Sequence, residues 1–218
     1  MLPEPYYEDR QVRLYLGDCN IILPELWEPG IFDLLLTDPP YGIGRDGQSG
    51  PAIGAAGARK AHKFEGWDDR PPSKEVFAEM FRSSCAQIIW GGNFFVDCIP
   101  AARGWFVWDK IQRIVQSDGE LAYTSLDQPL RIISFSRSEL NGDGAQHPTQ
   151  KPVRLMKWCI GQVPWAKSIL DPFCGSGSTL LAAKDMGLKA CGIEINECYC
   201  EIAANRLKQN VLFGVENS

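Results

Sequence analysis

The chain has 218 residues, 44% hydrophobic and 22% charged, with a formal net charge of −5. That length and balance suit one globular domain with a substantial core, and the acidic charge argues against a protein that simply coats nucleic acid. No apolar run approaches the length of a membrane span and the polar start Met1-Leu2-Pro3-Glu4-Pro5 does not read as a signal peptide, so a cytoplasmic protein without a membrane partner is expected.

Residues 11–16 alternate polar and apolar and predict a strand ended by Gly17-Asp18-Cys19. A short helix is expected over 20–27, closed by Pro29-Gly30. Residues 31–36 form an apolar run, the pattern of a strand buried on both faces. Asp38-Pro39-Pro40-Tyr41 stops it, because neither proline can extend a sheet ladder. A carboxylate, a backbone carbonyl and an aromatic face are thereby fixed at the carboxyl end of a strand, where open α/β sheets bind ligands. Two acceptors suit a planar amino group with two N–H donors, and the Tyr41 face suits the flat ring that carries it.

Residues 42–69 hold seven glycines, with Arg45, Arg59, Lys60, His62 and Lys63 supplying positive charge. A stretch of this length without its own pattern is expected to be a functional lid or a passive insertion. Ser73 caps a predicted amphipathic helix over 74–85. Strands follow over 86–90, ended by Gly91-Gly92-Asn93, over 104–108, ended by Asp109-Lys110, and over 129–136. Between the last two lies a polar stretch, 111–128, that includes Arg113.

His147-Pro148-Thr149-Gln150-Lys151-Pro152 leads into a predicted helix over 153–163, with Pro152 near its first turn. A strand from 168 runs into Asp171-Pro172-Phe173-Cys174-Gly175-Ser176-Gly177-Ser178-Thr179, and a helix over 179–186 stops at Gly187. A strand over 189–195 carries Glu194 at its end, and Asn196 caps a last helix. Strand and helix patterns alternate, so the class is α/β with a mostly parallel sheet.

The eight cysteines include no C-x-x-C pair, and His62 and His147 are the only histidines. A zinc site is not expected, and the thiols read as small, reduced core residues.

The glycine turn at 175–177 has no lysine, which a phosphate-binding P-loop needs, and Leu180 stands where a dinucleotide fingerprint needs its third glycine. A cofactor with an amino-acid moiety and a ribose but no phosphate remains, with Glu194 placed to accept from both ribose hydroxyls. S-adenosylmethionine meets that description. Its cationic sulfonium suits a rim formed by Asp18, Asp38, Asp171 and Glu194. The same four acids could gather a divalent metal, a reading that leaves the glycine turn unused.

Taken together, these motifs resemble the amino-directed DNA methyltransferases, which methylate N6 of adenine or N4 of cytosine. The likeness spans nearly the whole chain. Its motif order, D-P-P-Y before F-x-G-x-G, resembles the permuted β group. The resemblance implies a doubly wound, Rossmann-like, S-adenosylmethionine-dependent methyltransferase fold in a single domain. It implies catalytic roles for Asp38, Pro39, Pro40 and Tyr41. It places Asp18, Cys19, Asp38, Thr149, Lys151, Asp171, Phe173, Cys174, Gly175, Ser176, Gly177, Ser178, Thr179, Glu194 and Ile195 at the cofactor. Double-stranded DNA is the implied partner, in a prokaryotic or phage restriction–modification setting. A homodimer and a partner nuclease stay open.

Asp first in the D-P-P-Y motif points within the family to adenine. A cytosine-N4 enzyme, a protein glutamine-amide or RNA methyltransferase, and an inactive nucleic-acid-binding relative are the alternatives. Little chain precedes the H-P-T-x-K-P segment, so 111–128 is the candidate for a short target-recognition insertion. Arg45, Arg59, Lys60, Lys63 and Arg113 are the expected phosphate contacts, with 42–69 mobile until it closes over DNA.

Overall fold

The computed structural model describes residues 2–26, 31–43, 70–111, 117–136 and 151–209. Arg45, Arg59, Lys60, Lys63, Arg113 and Thr149 lie outside the described residues, as does most of the Gly-rich segment.

In chain order the elements are β1 (Tyr7–Glu8), β2 (Val12–Leu16), α1 (Cys19–Glu25), β3 (Phe32–Thr37), α2 (Lys74–Arg82) and β4 (Ser84–Trp90). A 3-10 turn at Gly92–Phe94 precedes β5 (Trp105–Asp109), β6 (Gly119–Thr124) and β7 (Arg131–Ser134). The chain then forms α3 (Val153–Gly161), β8 (Ser168–Asp171), α4 (Ser178–Asp185), β9 (Lys189–Glu194) and α5 (Glu197–Gln209).

One sheet holds the strands in the order β1-β2-β9-β8-β3-β4-β6-β5-β7. The run from β2 to β4 is parallel throughout. The chain leaves β3 towards β4 on one side and leaves β8 towards β9 on the other. Adjacent strands whose connections diverge open a crevice at their carboxyl ends, and β3 and β8 are that pair here.

Alternation along β3 explains the two-sided burial. Leu34 and Leu36 join a core with Leu155 and Met156 of α3, Leu180 of α4 and Leu207 of α5. Leu35 faces the other way, into a core with Ile22 and Leu23 of α1 and Val76, Phe77 and Met80 of α2. Helices therefore cover both faces, the doubly wound arrangement expected for a buried parallel sheet.

The elements depart from the sequence reading in two informative places. Helix α2 ends at Arg82, short of residue 85, because Ser83 and Ser84 donate their hydroxyls back to the carbonyls of Glu79 and Met80. The backbone is then free to enter β4 at once. The polar stretch 111–128 contains a full strand, β6, inserted antiparallel between β4 and β5. Ala122, Tyr123 and Thr124 of that strand are buried, so residues 119–124 are part of the sheet and not of an insertion. Its polar letters mislead because Glu120 is paired with buried lysines rather than with water.

Candidate active site

Two turns leave the sheet side by side at the diverging pair. Strand β3 ends at Thr37 and runs into Asp38-Pro39-Pro40-Tyr41, while β8 ends at Asp171 and runs into the glycine turn. Thr37 Oγ1 donates to Asp171 Oδ1 at 2.7 Å, and the Phe173 N–H donates to the same oxygen at 3.2 Å. Both motifs are thus pinned to one carboxylate. Burial pushes the Asp171 carboxyl up to about 6, against the pull of its hydrogen bonds.

The glycine turn leaves its backbone accessible. Gly175 has φ 52 and Gly177 φ 82, conformations that a side chain resists. A Cβ placed on Gly177 would lie 2.9 Å from Ala203, so that glycine serves the packing of α4 on α5. A Cβ on Gly175 would meet nothing within 4 Å, which leaves open space in front of its backbone. From behind, Arg206 of α5 donates to the Ser176 carbonyl at 2.6 Å.

Glu194, at the end of β9, reaches across to this turn. One carboxylate oxygen accepts the Gly175 N–H and the other the Asn196 N–H, both at 2.8 Å. Burial pushes its carboxyl up to about 7. Parallel pairing of β2 with β9 sets Leu16 opposite Glu194, and Gly17 N–H donates to the Glu194 carbonyl at 2.8 Å. Asp18 follows directly and caps α1 by accepting from the Asn20 N–H. Cys19 is buried beneath it, with a thiol that burial pushes up to about 12, so it stays a neutral core group. Ile195, beside Glu194, is 62% exposed, an apolar surface at the mouth of the site. Phe173 packs partly buried against the core on the α1 side of the sheet.

Asp38 lies on the other wall. Tyr41 donates its hydroxyl to Asp38 Oδ1 at 2.5 Å, and Lys151 Nζ donates to Oδ2 at 2.5 Å. A quarter of the Asp38 side chain remains accessible, against 7% for Lys151. Burial raises the Asp38 carboxyl above the usual range, opposed by the Lys151 ammonium. Burial acts to lower Lys151, but Asp38 and Glu120 reverse this and hold it well above the ordinary lysine value. Burial and the neighbouring Asp38 keep the Tyr41 phenol protonated far above its usual range. Lys151 therefore faces the Asp38–Tyr41 turn in this structure, rather than the glycine turn.

Four residues around this wall carry no site role in the sequence reading. Glu120, the second residue of β6, lies 2.8 Å from Lys151 Nζ and 2.5 Å from Lys110 Nζ. Burial works against its ionisation, yet the two lysines hold its carboxyl down at about 2. Lys110, just past β5, is itself buried. Phe94 stacks on Tyr41 with ring centroids 4.7 Å apart and planes 14° from parallel. Gly91, with φ 72, lies so close to Tyr41 that an added Cβ would stand 2.1 Å from Cε1 of the ring. The available signals were strand-end positions: Lys110 and Gly91 both follow strands that end on the same rim.

Comparison with known proteins places the chain in a family. Residues 89–205, more than half of the chain, match the family model N6_N4_Mtase, described as DNA methylase. The chain belongs to this family of N6/N4 DNA methylases. It is 27% identical to the type II methyltransferase M.ScaI of Streptomyces caespitosus, over 95% of this chain and 84% of that protein. It is 42% identical to the type II methyltransferase M2.DpnII of Streptococcus pneumoniae, over 65% of this chain and 49% of that one. Among solved structures it resembles the M1.HpyAVI–SAM complex (TM-score 0.58, 20% identity, 89% of this chain and 99% of that chain). It also resembles PvuII DNA methyltransferase, described as cytosine-N4-specific (TM-score 0.59, 18% identity, 93% and 88%). These structural likenesses carry the fold.

Proposed function

We propose that this chain transfers a methyl group from S-adenosylmethionine to the exocyclic N6 of an adenine flipped out of double-stranded DNA. The observation that carries the reading is the pairing of Asp38 and the glycine turn at one crevice, joined through Thr37 and Asp171. The residues present fit the cofactor: open space at Gly175, the buried carboxylate of Glu194 for ribose hydroxyls, and Asp18 and Ile195 at the rim for the adenine ring.

S-adenosylmethionine, when bound, supplies a methyl group on an electrophilic sulfonium. The chain's own task is to make a poor nucleophile attack. An exocyclic amine donates its lone pair into the ring, so it must be drawn towards tetrahedral geometry. Asp38 and the Pro39 carbonyl accept its two N–H bonds, the carboxylate giving the stronger, charge-assisted one. Because the nitrogen becomes cationic as the bond forms, Asp38 stabilises the transition state more than the ground state. To receive the amine, the Asp38 carboxylate gives up the bond it now accepts from Tyr41. Pro40 helps fix the turn, and the Tyr41 ring stacks on the base, which must leave the helix because its amine is out of reach within a duplex.

Both amines offer the same two protons, so the choice of adenine over cytosine rests on the Asp that begins the D-P-P-Y motif, which within the family points to adenine. Arg45, Arg59, Lys60, Lys63 and Arg113 are assigned to DNA phosphates on their charge and their place in the chain after the catalytic turn and β5. The test is transfer of labelled methyl to DNA, with nucleosides resolved by mass spectrometry. N6-methyladenine is expected from the wild type, and Asp38→Ala should bind the cofactor yet lose roughly 10²–10³ or more in turnover. N4-methylcytosine as the sole product overturns the adenine assignment, and undiminished turnover in Asp38→Ala overturns the mechanism.

A further inference from the structure

We infer that Glu120 is a positioning residue for the methyl transfer, holding Lys151 so that its ammonium steadies Asp38 without cancelling the carboxylate's charge. The inference rests on the reading of Asp38 as the acceptor of the target amine.

Lys151 Nζ stands between two carboxylates, 2.5 Å from Asp38 Oδ2 and 2.8 Å from Glu120 Oε2, with Tyr41 Oη at 3.1 Å. Behind Glu120, Lys110 Nζ is 2.5 Å away. The four charges arrive from separate places: the end of β3, the end of β5, the start of β6 and the approach to α3. Two indoles wall the row, Trp90 with its ring 5.7 Å from the Lys151 ammonium and Trp108 with its ring 5.4 Å from that of Lys110. Among the described residues, Cys159 of α3 and Asp171 at the end of β8 are further titratable groups coupled to this row.

A single ammonium beside Asp38 has two opposed effects. It compensates the burial of the carboxylate, and it repels the positive charge that develops on the attacked nitrogen. A second carboxylate on the far side of the ammonium separates these effects. Lys151 keeps its hydrogen bond to Asp38, while Glu120 offsets its field at the amine. Lys110 lies behind Glu120, so these four charges alternate in sign. With Glu120 neutral the surroundings of the reacting nitrogen become more positive by one charge.

Glu120→Gln is nearly isosteric and separates this role from a purely structural one. Turnover should fall on the order of tenfold, less than the 10²–10³ lost with a direct partner of the reacting group. The Michaelis constant for DNA and the cofactor affinity should change little. The acid limb of the pH–kcat profile should move to lower pH, because the negative neighbour that raises Asp38 is gone. Asp38 is then more easily ionised and yet less effective, a combination that loosened packing does not produce. Carboxyl 13C NMR of Asp38, assigned by its loss in Asp38→Ala, should show the same downward shift and needs no turnover. In a Lys151→Met background, Glu120→Gln should add no further loss. Glu120→Asp, which keeps the charge, should recover part of the turnover even if Glu120→Gln folds poorly. An unmoved Asp38 titration, or losses from Glu120→Gln and Lys151→Met that simply multiply, overturns the inference. A wild type that methylates no DNA sinks the proposed function, while the NMR titration separately decides whether Glu120 couples to Asp38.

Discussion

The Thr37 hydroxyl and the Asp171 carboxylate, 134 residues apart in sequence, meet at 2.7 Å where β3 and β8 end. Both residues are buried, and their bond joins the base of the D-P-P-Y turn to the base of the glycine turn. Thr37→Val keeps the shape and deletes the donor. A buried carboxylate deprived of a partner costs about 1–3 kcal/mol, so the melting temperature should drop. Cofactor affinity, measured by calorimetry, should weaken as well. A variant with wild-type stability and affinity would show that the two turns are held independently.

Protonation of Glu194 should govern cofactor binding near neutrality. Its carboxyl is pushed up to about 7 by burial, and ribose hydroxyls bind the ionised form. Affinity for S-adenosylmethionine should therefore weaken as pH falls below about 7, approaching tenfold per pH unit. The stability of the free protein should run the other way. A raised carboxyl favours the folded state below the unfolded value of 4.5, and that contribution is lost as pH rises through about 7, on the order of 2–3 kcal/mol. Calorimetry and melting curves from pH 5 to 8.5 test both signs. Glu194→Gln should bind more weakly and flatten both profiles; a wild type whose affinity ignores pH contradicts the assignment.

Tyr41 is held against Phe94 before any base arrives, at 4.7 Å between centroids. Phe94 is 45% exposed, so its ring acts as a buttress rather than as core. With 2-aminopurine at the mapped target position, Tyr41→Ala should weaken the flipped complex by roughly 1–3 kcal/mol. Phe94→Ala should weaken it by about 0.5–1.5 kcal/mol, the worth of an aromatic pair. Equal or larger loss from Phe94→Ala would make Phe94 the stacking surface.

Neutralising Arg59, Lys60 and Lys63 together should weaken DNA binding and flatten its salt dependence. Three lost phosphate contacts lower the slope of log affinity against log salt by roughly 2.7. Cofactor affinity should not change. An unaltered slope in a filter-binding titration across salt removes these residues from the DNA interface.

The motifs that announced themselves in the sequence are those whose backbone is constrained. Pro39 and Pro40 can only end a strand, and Gly175 and Gly177 adopt conformations that other residues resist. The apolar runs of β3, β4, β8 and β9 were legible for the same reason: a strand covered on both faces has nowhere to put polar side chains. What stayed hidden was the charged wall. Glu120 and Lys110 drew no site assignment because burial of a charge depends on a partner that sequence distance conceals. Phe94 drew no assignment, since nothing local says that its ring lies on Tyr41. The end of α2 was misplaced by the two serine hydroxyls that bond backwards into it.

Because β6 runs against β5, Asp109 and Gly119 lie opposite each other, and the chain between them leaves and re-enters the sheet on the rim that carries Asp38. Its two anchors are fixed by the ladder, and closing a longer loop there adds only about 0.6 kcal/mol for each doubling of its length. The connection is thus a socket. Segments of different size and chemistry could be spliced between residues 110 and 118 and be carried on the Asp38 rim without moving a strand. An engineer seeking a new recognition site on this scaffold would begin there and leave Glu120 alone, one residue past the joint.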